Sequence, residues 1–159
     1  MKLLMYTIAT TRFNTKTWNE NERWREKNNW DGCIYGTPTK MSENITPLIP
    51  LFILEMHNDI NKIKGIGLIR NAVVIKKHYK IYSDGNYNRY TYKSKYRINT
   101  NILDHEEKKV IEILEVLVFK GSRHLKRGHG ITRVPGWLEN NKHINFSNKL
   151  KQMFVKRFS

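Results

Sequence analysis

"PLFILEMHNDINKIKGIGLIRNAVVI", residues 50–75, sets an apolar run from Leu51 to Met56 against a second from Ile63 to Ile69, with the polar turn "HNDINK" between them. Two such runs joined by a short polar turn read as a β-hairpin. Side chains alternate along a strand, so Gly65 and Gly67 leave one face of the second strand bare, and a helix, a backbone or a ligand can come close there.

Upstream, "KLLMYTIA" (2–9) reads as a buried first strand, "NENERWREK" (19–27) as a short helix free of glycine and proline, and "GCIYGTP" (32–38) as a short strand closed by Gly36 and Pro38. A loop carrying Pro47 leads into the hairpin. Downstream, "KKHYKIYSDGNYNRYTYKSK" (76–95) is a polar, tyrosine-rich excursion turning at "SDGN", and "KYRINTNIL" (95–103) is a further strand. "DHEEKKVIEILEVLVFK" (104–120) predicts a helix capped by Asp104 and Glu107, with Val110, Ile113, Leu114 and Leu117 as its apolar stripe. Ser147 is positioned to cap a terminal helix whose Leu150, Met153, Phe154 and Phe158 share a face. The order predicts an α+β fold, a curved mixed sheet or small β-barrel flanked by helices. With 159 residues and no repeat or linker, one domain is expected over 1–159.

Lys and Arg number 29 against 14 Asp and Glu, a formal charge of +15, which repels itself unless a polyanion is near. RNA or DNA is the partner this favours. An anionic membrane would call for a basic amphipathic helix or a lipidation signal, and neither is found; "MKLLMYTIAT" is too brief an apolar run for a signal peptide, so an intracellular protein is expected. The sole cysteine, Cys33, excludes an internal disulfide or thiolate cluster and reads as a small core residue.

The charge is concentrated. Lys120, Arg123, Lys126, Arg127 and Arg133 fall within fourteen residues that contain no acid, and Gly121, Gly128 and Gly130 let backbone amides turn toward a phosphate as readily as the side chains. Binding there should release counterions and weaken steeply with salt. His124 and His129 sit in the same loop and match no recognised metal spacing, so they read as phosphate-contacting or surface histidines; no metal or cofactor is expected. There is no P-loop, dinucleotide fingerprint or nucleophile elbow. An enzyme acting on nucleic acid would have to pair His124 or His129 with a carboxylate such as Asp31 or Glu55, and a packaging protein would need only the charge. The aromatics exceed what a core of this size takes: Trp18, Trp24, Trp30 and Trp137, with Tyr35 and the tyrosines from Tyr79 to Tyr96, could supply base-stacking faces among the arginines.

"MYTIATT", the "RW" of the helical segment, the hairpin with "KGIGLI", the strand "KYRINTNI" and the late "GSRHLKRGHGITRVP" together resemble the PUA-like fold of the YTH and EVE families. In those families the second hairpin strand has the form "GIxGIaxV" and a late segment the form "NSRxxxxVP". The resemblance implies a reader without catalytic residues: a modified base, methylated adenine in RNA for YTH and modified bases in DNA for EVE, held in an aromatic cage beside a basic groove. Arg123 matches the arginine of the "SR" segment. Trp24 and Trp30, and Tyr90 and Tyr92 from the excursion, would stand as cage walls, with tyrosine where the families carry tryptophan and with a longer basic loop. Tyr35 and Trp137 complete the expected base pocket.

Overall fold

The computed structural model of the protein describes residues 6–158. β1 (Thr7–Phe13) leads into α1 (Thr15–Lys27) and β2 (Cys33–Thr37), and β3 (Leu51–His57) and β4 (Lys62–Ile69) form the hairpin. β5 (Tyr90–Ser94), β6 (Arg97–Asn99), α2 (His105–Phe119), β7 (Thr132–Arg133), the single-turn α3 (Gly136–Glu139) and α4 (Phe146–Phe158) follow. Residues 2–5 of the expected first strand lie outside the described residues.

The fold is α+β, built on a five-stranded mixed sheet in the order β6-β4-β3-β1-β7, with β2 and β5 forming a separate antiparallel ribbon. β1 and β3 are parallel and the other neighbours antiparallel. β3, flanked on both sides, is buried along its whole length, which is why its sequence is apolar but for Glu55 and His57. The sheet stays open: β6 and β7 are its edges, so the barrel alternative is not realised among the described residues.

Alternation along the strands divides the core in two. Ile8, Phe52, Leu54 and Met56 face α2, α3 and α4, where Leu114, Leu138, Leu150 and Phe154 meet them. Ala9, Leu51 and Ile53 face the other way, onto Trp18 of α1 and Ile34, Tyr35 and Tyr92 of the ribbon. A bulge at Lys64 lets Ile63 and Ile66 share the first side despite their odd spacing, since Met56 pairs with Ile63 and Glu55 with Gly65.

The bare glycine face is filled from within the chain. A Cβ on Gly67 would meet the Tyr35 hydroxyl and, at 2.9 Å, Cys33 Sγ; one on Gly65 would meet the Arg97 guanidinium and, at 2.6 Å, Glu55 Oε1. Tyr35 Oη donates to Glu55 Oε2 (2.6 Å), and Arg97 grips both Glu55 oxygens (3.0 and 2.7 Å) in an interior where the two side chains are 5 % and 2 % exposed. Burial, reinforced by Glu55, pushes the Cys33 thiol up to about 12, so Cys33 stays a protonated core residue.

Three local expectations need correction. α1 starts at Thr15, ahead of "NENERWREK", because Asn14 and Thr17 form a reciprocal capping box and Asp59 Oδ2 accepts from Thr15 N and Oγ1 (both 2.8 Å). α2 has the expected Asp104–Glu107 box, but its buried stripe is Ile111, Leu114, Val118 and Phe119, rotated so that Ile113 is 41 % exposed. α4 is capped by Asn145, whose Oδ1 accepts from Asn148 N (3.0 Å); Ser147 Oγ instead donates to Tyr6 O (3.1 Å). Leu150, Met153 and Phe154 are buried as expected, and Phe158 is 43 % exposed.

Candidate nucleic-acid interface

The basic loop leaves α2 at Lys120, turns at Gly121 (φ 81°) and is pinned by Leu125, whose N–H donates to Val118 O (2.6 Å). Further on, it is held by a residue far away in sequence. The Arg12 guanidinium, at the end of β1, donates from Nε to Gly128 O (3.2 Å), from Nη1 to Thr10 Oγ1 (2.7 Å) and Leu125 O (3.2 Å), and from Nη2 to Gly130 O (2.8 Å) and Thr132 Oγ1 (3.0 Å). All five donors of the fork are thereby used on neutral acceptors. Burial lowers the Arg12 pKa from the ordinary arginine value, and its charge has no carboxylate partner among the described residues.

Asn58 Nδ2 adds a bond to Lys126 O (2.9 Å). Four loop carbonyls, of residues 125, 126, 128 and 130, are thus drawn onto Arg12 and Asn58. The N–H groups of Arg127, Gly128, His129 and Gly130 have no acceptor among the described residues. A run of unpaired amides with glycines at φ 147° (Gly128) and 66° (Gly130), beside Arg12 and Lys126, is the kind of arrangement that binds anions.

Beside this loop lies a cleft of about 250 Å³ between the N-terminus of α1, the ends of β1 and β2, and the excursion after the hairpin. Asn14, Thr17, Pro38, Tyr87, Lys126 and His129 are among its walls. Tyr82 forms its floor: buried, with its hydroxyl accepting from Asn21 Nδ2 (2.9 Å), and with a pKa pushed up by burial. Tyr87 meets Tyr82 edge-on at 6.2 Å and is 39 % exposed, an aromatic face within reach of a ligand.

The expected basic residues are where an anion could use them. Lys120, Arg123, Arg127 and His129 are exposed and Lys126 is half-buried at the cleft. His124 is half-buried and serves the loop itself, its Nδ1 accepting from Lys126 N (3.2 Å). Arg133 is different: it is paired with Glu139 (2.9 Å), an acid just beyond the loop in sequence.

The expected cage is not assembled. Tyr35 and Tyr92 are core residues, 2 % and 0 % exposed; the Tyr92 hydroxyl accepts from Met41 N (2.7 Å). Trp24 lies edge-on to Tyr79 at 5.6 Å on the α1 side of the sheet, whereas Trp137 packs with the core on the α2 side and carries the Arg123 guanidinium 4.7 Å above its ring. One sheet separates them, so they cannot bound one pocket. Trp30 donates its indole N–H to Cys33 O (3.1 Å), and its face is covered by the Lys93 ammonium at 4.1 Å. Tyr90 is half-buried beside β2, with Lys40 and Arg89 each 5.6 Å from its ring. The excursion does supply the aromatic wall, but through Tyr82 and Tyr87.

Glu55, one carboxylate considered for an enzyme, is held by Arg97 and Tyr35 and is unavailable as a base. No group of three His, Cys, Asp or Glu that could hold a metal occurs among the described residues, and none of their helices is long and apolar enough to cross a membrane. Arg12 and Asn58 carry no signal in the sequence, since each gains its role from a loop more than sixty residues away; Asn14 stands at the cleft as the cap of α1, and Tyr87 is one of the tyrosines between Tyr79 and Tyr96. Compared with protein-family models, with curated proteins and with solved structures, the chain finds no match.

Proposed function

We propose that this protein binds nucleic acid, RNA or DNA, as a non-enzymatic module of PUA-like fold. The loop 120–133 takes the phosphates, and one base, modified in the manner the YTH and EVE resemblance implies, enters the cleft against Tyr87. The observation that carries this reading is the loop anchored by Arg12, with its carbonyls turned onto one uncompensated guanidinium and four successive amides left without an acceptor. Anions stabilise such an arrangement, and the same loop carries Lys120, Arg123, Lys126 and Arg127, none with a carboxylate partner among the described residues. The PUA-like reading draws support from the order strand, helix, strand, hairpin, with the double-glycine strand as the hairpin's second arm and the "SR...VP" segment returning to pair with β1.

A methyl group adds only about 1 kcal/mol to a base's affinity for an apolar wall, so the basic surface supplies most of the binding. The test is a titration of labelled single-stranded RNA and DNA across a salt series, with Arg123, Lys126 and Arg127 changed singly to Ala. Each change is expected to reduce the slope of log affinity against log salt by about one. An affinity and slope equal to the unaltered protein in all three variants would reject the loop as the contact surface.

A further inference from the structure

At the opposite end of β1 from the cleft lies a hollow of about 640 Å³, lined by Tyr6, Arg133, Lys151 and five asparagines. The hollow is rich in amides and carries a surplus of positive charge. Asn141 Oδ1 accepts from His143 N (2.9 Å) and Ile144 N (3.1 Å), and Asn145 Oδ1 accepts from Asn148 N (3.0 Å), which leaves both amide nitrogens without a partner among the described residues. Glu139, the one acid there, has Oε2 on Arg133 and Oε1 on Ile8 N (3.4 Å). Lys151 Nζ stands 5.5 Å from the Tyr6 ring and pairs with no carboxylate among the described residues. Two of the five asparagine oxygens and the one carboxylate are engaged internally, and one net positive charge remains. That suits an anionic ligand with a polar edge, a phosphate for Lys151 and a base edge for the amides.

β7 connects the two places. Thr132 and Arg133 are exposed on the outer edge of the sheet; Thr132 touches Arg12 beside the cleft, and Arg133 lines the hollow. From Tyr6 to Arg12 is six residues of extended chain, roughly 20 Å, a span for a few nucleotides and not for one. We infer that the hollow is a second nucleotide subsite, occupied by the same strand whose base enters the cleft, with the polynucleotide running along the β7 edge. This inference rests on the nucleic-acid reading proposed above.

Asn148 and Lys151 test it without touching a helix cap. Binding would be measured for a ladder of single-stranded oligonucleotides, two to eight nucleotides long, to the full chain and to Asn148→Ala, Lys151→Ala and the double variant, with circular dichroism to verify folding. The unaltered protein should gain about tenfold or more in affinity once the ladder spans both sites, and the double variant should lose that gain while binding the shortest oligonucleotides as before. Lys151→Ala should lower the salt slope by about one, and Asn148→Ala should cost about two- to tenfold with the slope unchanged. Lys126→Ala weakening every length while both α4 variants match the unaltered protein would overturn the second subsite alone. Failure of every length to bind the unaltered protein would overturn the parent reading with it. A free nucleoside monophosphate binding as tightly as the longest oligonucleotide would assign the hollow to a mononucleotide and overturn the shared strand.

Discussion

Arg12 uses an ion as a template. A lysine there would keep the charge but offer three donors from one point in place of a planar fork of five, so it could not hold carbonyls 125, 128 and 130 together. Arg12→Lys is therefore expected to weaken nucleic-acid binding nearly as much as Arg12→Ala, read out by the same titration; full retention by lysine would show that charge alone suffices. The buried Glu55–Arg97 pair depends on charge in another way. Arg25 stands close enough for the two guanidiniums to disfavour each other, and Arg25 Nη2 has no hydrogen-bond partner among the described residues. Burial works against the Arg97 charge, and Glu55, by its charge and its hydrogen bonds, more than offsets it. Glu55→Gln leaves the buried Arg97 charge without its partner and should cost about 3–5 kcal/mol, measurable by urea unfolding. Gly67→Ala, driving a methyl group into the Tyr35 hydroxyl, should cost about 1–3 kcal/mol in the same assay.

Among the elements, α2 separates what local pattern dictates from what packing selects. Its capping box was legible because Asp104 and Glu107 are neighbours in sequence. Its stripe was not, because Val110, Ile111, Ile113, Leu114, Val116, Leu117 and Val118 give several overlapping apolar faces, and the sheet and α4 choose among them. Leu114→Ala should cost about 2–5 kcal/mol and Ile113→Ala no more than about 0.5 kcal/mol; equal losses would contradict the observed rotation.

The start of α2 also ties it to the end of α4. Arg157 donates to both Glu107 oxygens (2.8 and 2.6 Å), and Lys156 to Asp104 (2.8 Å). The Arg157 hydrogen bonds hold the Glu107 carboxyl below its usual range, and Lys156 first, then the Glu107 N–H, bring Asp104 down to about 2. A carboxylate with a depressed folded pKa stabilises above its unfolded value and loses that contribution as the pH falls toward the folded one. Melting temperature should therefore drop between about pH 4.5 and pH 2, and Glu107→Gln should flatten that limb while lowering the plateau at neutral pH.

Across the whole molecule, the excess charge of +15 works against compactness, and a bound polyanion relieves it. An oligonucleotide present at one hundred times its Kd should stabilise the fold by about 2.7 kcal/mol, and added salt should erase that gain in thermal melts. What the sequence alone determined was everything carried by near neighbours and by sums: the hairpin, the α2 cap, the mixed α+β class, the cationic loop. What only the tertiary structure decided was which aromatics are walls and which are core, and which residue holds the loop. A tyrosine's exposure depends on the elements laid over it, so Tyr92 and Tyr87, five residues apart, ended in the core and at the cleft. Arg12 meets Gly128 across 116 residues of chain, a contact fixed by the pairing of β7 on β1 and written in no local pattern.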